Sequence, residues 1–328
     1  MSDCENIQKN EYEPINTWDD LKIPSDLLRG IYSYGFEKPS PIQAKAINPL
    51  IDRRDIIAQA QSGTGKTGAF SVGSLALTDP TKNETQVLIL SPTRELSQQT
   101  CNVINSLSSM YKKHPIKTHL LIGGTSTEKD INILNNDPPH IVVGCPGRVH
   151  DMMKRKHFTT SKLSLVILDE ADEMLSSGFK EQVYNIFQYL PKDTQLGLFS
   201  ATLPIELNML TEKFMRDPVK ILVKAESLTL EGIQQYYIAL DDDTDKYHTL
   251  KDLFGILSVS QCIIYCNSVK RVSDLYDAMM TDGFPVCCIH SNMDKEDRSE
   301  SFKEFRSGKY RVCIATNVIA RRIDIQQV

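Results

Sequence analysis

The chain has 328 residues, enough for about two domains of ordinary size. It carries 37 basic and 42 acidic side chains and a net charge of −5, so it is not a polycation, and any nucleic-acid binding must come from local basic and backbone groups. No apolar run is long enough to cross a membrane, and the polar segment 1–16 lacks the apolar centre of a signal peptide. We therefore expect a cytoplasmic, intracellular protein.

Eight cysteines are present, without the close pairs that are typical of a zinc site. Five of them lie in or beside apolar, strand-like runs in the last third of the chain. We expect reduced thiols that behave as small buried hydrophobic groups, and a disulfide framework is the alternative.

Residues 1–16 are predicted to be a flexible segment, after which the chain reaches a proline-containing turn at Gly35–Gln43. This turn places Phe36 and Gln43 in the same neighbourhood. A Gln amide can pair with the N6 and N7 edge of adenine while an aromatic ring stacks on the base. The two residues are therefore candidates for base selection, although Phe36 alone is more typical of a hydrophobic core.

A glycine-rich loop with the sequence Ala60-Gln61-Ser62-Gly63-Thr64-Gly65-Lys66-Thr67 lies between a strand-like and a helix-like run. This context predicts a phosphate-binding loop, because glycines allow a tight turn whose N–H groups point at phosphate oxygens. Lys66 is predicted to reach the β- and γ-phosphates, and the hydroxyl of Thr67 to bind Mg²⁺. Ala60 stands where the usual pattern has Gly, and a plain turn before a surface helix is the alternative.

Short apolar strand-like runs then alternate with helix-like runs, which predicts an α/β fold with parallel sheets covered on both faces. We place a first domain at residues 17–224, a linker at 225–232 and a smaller second domain at 233–328. The strand-like runs are Asp55–Ala58, Gln86–Leu90, Lys117–Ile122, Ile141–Val143, Leu163–Leu168, Gln195–Phe199 and Val219–Val223 in the first domain, and Gln235–Leu240, Cys262–Tyr265, Val286–Ile289 and Arg311–Ile314 in the second.

Two polar clusters follow buried strands of the first domain, where parallel strands present groups to a ligand. Asp169 is predicted to hold Mg²⁺, and Glu170 to orient and deprotonate an attacking water. Acidic pairs at this position also commonly begin helices. Ser200 and Thr202 follow another strand, and their hydroxyls are predicted to bond Asp172.

Three further loops follow strands and offer backbone N–H groups, a hydroxyl or an arginine: Pro92–Glu95, Gly123–Gly124 and Pro146–Arg148. Such groups suit contacts to phosphate and sugar, which position a nucleic-acid strand without reading its sequence. Each loop singly is more typical of an ordinary surface connection, and their repeated position at strand ends favours the joint interpretation.

Together these motifs resemble the DEAD-box ATP-dependent RNA helicases, and within them the initiation factor 4A subgroup, from Trp18 to Val328. The resemblance implies two RecA-like parallel-sheet domains in tandem, the second incomplete, with ATP and single-stranded or short duplex RNA bound across the cleft. It implies RNA-stimulated ATP hydrolysis with Mg²⁺, local unwinding of RNA duplexes and sequence-independent contacts to the RNA backbone. Translation factors or helicase-stimulating proteins are implied as partners.

The resemblance also implies roles for individual residues. ATP is bound by Phe36, Gln43, Ala60, Gln61, Ser62, Gly63, Thr64, Gly65, Lys66, Thr67 and Asp324. Hydrolysis depends on Lys66, Asp169, Glu170, Ser200 and Thr202, with Thr67 and Asp169 at the metal. The RNA path is formed by Pro92, Thr93, Arg94, Gly124, Arg148, Asn267 and Thr316.

Several positions depart from the family pattern. Cys145 stands in place of a usual Thr, Asn317 in place of Asp and Arg322 in place of Gly. The sequence ends at Val328, before the His-Arg-x-Gly-Arg element of the family, so we expect this chain alone to bind ATP and hydrolyse it slowly. The alternatives are a non-catalytic ATP- and RNA-binding module, and a phosphate-loop ATPase that acts on something other than RNA.

Overall fold

A computed structural model describes residues 12–61, 63–176, 178–222, 234, 236–240, 242–257 and 260–319. The chain forms two compact units that divide at Thr229–Leu230, and each unit is described by itself. The predicted linker 225–232 and the limits at 224, 233 and 328 fall on residues outside this description, and all the predicted domain limits stay predictions. Most of the predicted flexible segment 1–16 lies outside the description as well. No helix in the described ranges combines the length and the apolar character that crossing a membrane requires.

The first unit is built on one sheet of seven strands that run parallel to their neighbours. In chain order the strands are β1 (Ile56–Gln59), β2 (Val87–Leu90), β3 (Thr118–Leu121), β4 (Ile141–Gly144), β5 (Leu165–Asp169), β6 (Gln195–Ser200) and β7 (Val219–Leu222). Their spatial order is β3-β4-β2-β5-β6-β1-β7. All seven predicted strand runs of this unit are confirmed, with ends that differ by at most two residues.

Within the described part of this unit, nine α-helices cover both faces of the sheet: α1 (Ser25–Ser33), α2 (Pro41–Ile51), α3 (Lys66–Leu77), α4 (Arg94–Leu107), α5 (Thr127–Asn136), α6 (Pro146–Lys154), α7 (Ala171–Ser176), α8 (Lys180–Gln188) and α9 (Ile205–Phe214). Successive strand residues point to opposite faces, so Val87 and Ile89 join the core under α1–α4, whereas Leu88 and Leu90 join the core under α5–α9. Burial on both faces explains why inner strands such as β2 and β4 are apolar almost throughout.

The second unit contains the parallel strands β8 (Cys262–Tyr265), β9 (Val286–Ile289) and β10 (Val312–Ala315), in the spatial order β8-β10-β9. Its helices are α10 (Asp243–Ile256), α11 (Val269–Thr281) and α12 (Lys295–Arg306), and a single 3-10 turn follows at Asn317–Ile319. Two small cores flank the sheet, one around Phe305 and one around Met279. The prediction of a second parallel α/β unit is confirmed.

The predicted strand at Gln235–Leu240 is wrong. Its described part, residues 236–240, forms no strand, and the side chains of Tyr236 and Tyr237 are 85% and 94% exposed. Alternating apolar and aromatic residues favour an extended backbone, but a strand also needs a neighbour to accept and donate its lateral hydrogen bonds. Local composition cannot supply that neighbour.

Candidate active site

The glycine loop connects β1 to α3 in the first unit, as the sequence predicts. Gly63 and Gly65 have φ values of +79° and +98°, a left-handed region that glycine enters without strain. The hydroxyl of Thr64 donates to the carbonyl of Gln61 over 2.8 Å and closes the turn. The N-terminus of the 12-residue helix α3 follows directly, so the loop and the helix present N–H groups at one place. Ser62 lies outside the described residues.

Lys66 begins α3 and is 1% exposed. Its Nζ donates to the carbonyl of Ala60, and it lies 3.9 Å from Oε1 of Glu170. Glu170 is also 1% exposed and has a φ of +53°, which is uncommon for a residue other than glycine. The phosphate loop and the acidic motif therefore meet in a buried, charged site, with Asp169 at the end of β5 beside it.

The hydroxyl cluster after β6 binds the acidic motif through Asp172. Thr202 Oγ1 donates to Asp172 Oδ2 over 2.7 Å, and the backbone N–H of Asp172 donates to Ser200 Oγ over 3.3 Å. The contact between these hydroxyls and Asp172, predicted from sequence, is present. Because β5, β6 and β1 are neighbours, the acidic motif, the hydroxyl cluster and the phosphate loop lie side by side at the carboxyl ends of adjacent strands.

Gln43 and Phe36 lie against the phosphate loop. Gln43 is buried; its Nε2 donates to the carbonyl of Gly65 over 3.2 Å, and its Oε1 accepts from the backbone N–H of Ser40 over 2.8 Å. Phe36 is half-buried, and the ring of Trp18 stacks on it at 5.9 Å with an interplanar angle of 17°. The structure thus brings the two residues together as predicted, and it also gives Gln43 a structural role at the start of α2.

The three predicted RNA-facing loops follow β2, β3 and β4, which are neighbours at one end of the sheet. Thr93 caps α4, since its Oγ1 accepts from the N–H of Leu96 over 3.3 Å. Pro92 is buried beside it. A Cβ on Gly123 would lie 3.3 Å from Nη2 of Arg94, so the first two loops are in contact.

Arg148 is held by a polar network that sequence analysis did not find. Its Nη1 pairs with Asp130 Oδ2, and its Nη2 donates to the carbonyl of Thr125 over 3.0 Å. Asp130 also accepts from His119 Nε2 over 3.0 Å. Asp130 lies on α5, 18 residues before Arg148, and the sequence alone carries no signal that pairs the two.

Cys145 precedes α6 in the third loop, and its Sγ lies 3.6 Å from Ser97 Oγ. Burial raises the pKa of this thiol to about 11, so it stays protonated at neutral pH. The seven cysteines in the described ranges are free thiols, and the same ranges hold no cluster of three or more His, Cys, Asp or Glu side chains that suits a metal ion.

The predicted residues of the second unit lie at the carboxyl end of its own sheet. Asn267 follows β8 and is exposed, whereas Thr316 follows β10 and donates its N–H to the carbonyl of Ile289 over 3.2 Å. Because β10 lies between β8 and β9, these two positions are close neighbours within this unit. Asp324 and Arg322 lie outside the described residues.

Comparison with known proteins agrees with this geometry. The DEAD/DEAH box helicase family matches residues 40–210, and the helicase conserved C-terminal domain matches residues 245–328. The protein named ATP-dependent RNA helicase eIF4A of Chaetomium globosum is 50% identical over 322 residues, which cover 98% of this chain and 80% of that protein. Those of Pyricularia oryzae and Neurospora crassa are each 49% identical over the same shares.

Comparison with solved structures also finds DEAD-box proteins. The chain is 34% identical to S. cerevisiae Dbp5 bound to RNA and ADP BeF3, with a TM-score of 0.86 over 96% of this chain and 79% of that one. A DEAD box protein from the hyperthermophile Methanococcus jannaschii is 32% identical, with a TM-score of 0.62 over 95% of this chain and 83% of its own length. The two parallel-sheet units are therefore RecA-like domains in tandem, the second smaller than the first.

Proposed function

The chain belongs to the DEAD-box helicase family and is an ATP-dependent RNA helicase of the eIF4A type, and from that premise we propose which of its residues carry out the reaction. The observation that carries the proposal is the short distance between two buried, oppositely charged side chains. Lys66 Nζ, at the start of α3, lies 3.9 Å from Oε1 of Glu170, which follows β5. A positive and a negative side chain buried together beside a glycine loop suit a nucleoside triphosphate and the water that attacks it.

Lys66 is the group that holds the transferred phosphate. In the structure its Nζ donates to the carbonyl of Ala60, and we propose that phosphate oxygens replace this acceptor when ATP binds. The N–H groups from Gly63 to Thr67 then donate to the remaining oxygens, because the loop and the start of α3 direct them to one place.

Glu170 is proposed to orient the attacking water and accept its proton. Its left-handed backbone conformation fixes the turn between β5 and α7 and keeps the carboxylate at the site. Asp172 does not contact the reacting atoms in this scheme: its bonds to Ser200 and Thr202 hold the acidic turn against β6.

The donor set at the end of β5 fits Mg²⁺. The hydroxyl of Thr67 and the carboxylate of Asp169 are oxygen ligands, which this hard cation prefers, and neither a thiol nor an imidazole is among them. We propose that these two side chains hold the ion. When bound, Mg²⁺ neutralises charge that develops on the phosphate oxygens.

Base and RNA recognition are proposed for residues of the first unit beside this site and, separately, for residues of the second unit. Phe36 would stack on adenine. Gln43 would bind the edge of the base after its Nε2 gives up the hydrogen bond to the carbonyl of Gly65. Pro92, Thr93, Arg94, Gly124 and Arg148 would bind the RNA backbone on the first unit, and Asn267 and Thr316 on the second. Ser62 and Asp324 are assigned by family resemblance alone.

Partners and location are proposed by analogy with the relatives. Structures of S. cerevisiae Dbp5 include complexes with Gle1 and with Nup159, so members of this family bind other proteins. From its similarity to the proteins named eIF4A, we propose that this chain acts in translation initiation in the cytoplasm and has a protein partner that stimulates it.

A single-turnover assay of ATP hydrolysis with and without an unstructured RNA tests the proposal. We expect RNA to accelerate hydrolysis, and Glu170→Gln to slow it by about 10²–10⁴-fold while Mg-ATP still binds. Glu181→Gln, on an exposed residue of α8, is the matched control and should leave the rate unchanged. The assignment would be contradicted by a hydrolysis rate that is the same with and without RNA, or by a rate that Glu170→Gln does not lower.

A further inference from the structure

A buried network joins two of the loops assigned to RNA, and Asp130 is at its centre. Asp130 lies on α5, and its side chain is 4% exposed. Its Oδ1 accepts from His119 of β3, and its Oδ2 pairs with Arg148 of α6. Thr125 Oγ1 lies 3.3 Å from the same Oδ2. One carboxylate therefore binds a strand, a loop and a helix.

Arg148 is bound on the same side by the loop that contains Gly124. Its guanidinium donates to the carbonyl of Thr125 over 3.0 Å and to the hydroxyl of Thr125 over 3.4 Å, and the side chain is only 11% exposed. Gly124 has a φ of +82°, so the turn just before Thr125 depends on an unusual backbone conformation. Arg148 and Asp130 together hold that turn.

These contacts leave Arg148 poorly placed to bind phosphate directly. A guanidinium that reached out to RNA would leave the carboxylate of Asp130 buried without its cation, which is strongly unfavourable. We propose that Asp130 is a positioning residue for RNA binding. It holds Arg148 and the Gly124 turn, so that two backbone-binding loops keep a fixed spacing. This inference rests on the RNA path proposed above and changes the part played by Arg148 in it.

The two roles for Arg148 predict opposite effects of the same substitution. Asp130→Asn removes the negative charge and keeps the shape of the side chain. If Arg148 binds RNA directly, this variant frees a cation and RNA affinity rises or stays the same. If Asp130 positions the loops, RNA affinity falls by about tenfold, because Arg148 and Thr125 lose a buried charged partner.

The experiment compares the full chain and its variants by fluorescence polarisation with a labelled oligo-uridine, in the presence of a non-hydrolysable Mg-ATP analogue. Affinity for that analogue without RNA is measured on the same samples. We expect Asp130→Asn to weaken RNA binding about tenfold and to change nucleotide binding by less than about twofold. Asp130→Glu, which keeps the charge, should recover part of the loss.

Glu128→Gln is the matched control, since it removes one negative charge from the exposed side of the same helical turn and should have no effect. If Asp130→Asn does not fold, Thr125→Val removes a single hydroxyl from the network and should produce a smaller loss in the same direction. Unchanged or stronger RNA binding would overturn the inference, as would an equal loss of RNA and nucleotide binding. Failure of the unaltered chain to bind RNA would instead contradict the proposed function.

Discussion

Gly68 lies in the first turn of α3, against the two side chains proposed to recognise adenine. A Cβ there would lie 2.5 Å from Gln43 Nε2, closer than non-bonded atoms allow, and 3.1 Å from the Phe36 ring, which is a tight contact. The roles of Gly63 and Gly65 follow from their place in the loop motif. Gly68 has an ordinary helical backbone, and its need for glycine comes from residues that are distant in sequence.

Gly68→Ala is therefore expected to disturb base recognition. The methyl group displaces the Gln43 amide, and the preference for ATP over GTP should fall by about tenfold, within the range of one bidentate contact to a base. Competition binding with ATP and GTP measures this ratio. Gly255→Ala on α10 is the control, because a Cβ there meets open space. A ratio that does not change would mean that Gln43 does not read the base.

Cys145 gives a pH-dependent prediction, because burial raises its pKa from 9.0 to about 11. At pH 8 the folded thiol should react with iodoacetamide about a hundredfold more slowly than in the urea-unfolded chain, since only the thiolate is nucleophilic. Peptide mapping after a timed reaction measures the labelling of Cys145 itself. Equal labelling in the folded and unfolded chains would contradict the burial.

The raised pKa of Cys145 also predicts the direction in which folding stability changes with pH. The unfolded chain loses its thiol proton at lower pH than the folded one, so the contribution of this group is fully present below pH 9.0 and is lost as pH rises towards about 11. Cys145→Ser should reduce this loss above pH 9.0, which urea unfolding at several pH values would measure.

Among the elements of the first sheet, β1 is held at its start by one carboxylate. Asp55 is 3% exposed and accepts from the backbone N–H groups of Leu196, over 2.8 Å, and Arg216, over 2.7 Å. It thus joins β1 to its neighbour β6 and to the segment that leads into β7. These contacts fix the position of the strand that ends in the phosphate loop.

Asp55→Ala should destabilise the first unit by about 2–5 kcal/mol, because two buried N–H groups lose their acceptor. Urea unfolding monitored by circular dichroism measures this change. Asp217→Asn is the control, since its carboxylate is 89% exposed and pairs with Arg54 at the surface, where such pairs contribute about 0–1 kcal/mol, and Asn tolerates the left-handed backbone of this position. A similar small effect for both variants would show that Asp55 does not hold the strand.

The elements that sequence predicted well are those whose pattern is set by burial on both faces. Runs such as Leu163–Leu168 are apolar because the sheet is covered on both faces, and the same reason applies to β9 and β10, whose residues divide between the two cores of the second unit. The failure at Gln235–Leu240 and the unpredicted pairing of Arg148 with Asp130 have a common cause. Both depend on a neighbour in space that local composition does not specify.

At the scale of the whole molecule, a net charge of −5 means that RNA is not attracted by the chain as a polycation. Among the residues assigned to the RNA path, only Arg94 and Arg148 are basic, and Arg148 is paired with Asp130. The remaining residues offer hydroxyl, amide and backbone groups, which bind phosphate and sugar without net charge. Recognition therefore depends on a few local contacts along each sheet end.

This distribution of charge predicts how RNA binding responds to salt and to sequence. For single strands the logarithm of affinity falls with the logarithm of salt concentration by about 0.7 per neutralised phosphate. One or two available arginines thus give a slope between about −0.7 and −1.4. Contacts to the backbone alone do not distinguish bases, so the affinities for oligo-uridine and for a mixed sequence should lie within about threefold of each other. Polarisation titrations over a range of salt concentrations measure both. A slope steeper than about −3 would show that basic groups outside the assigned path carry the binding.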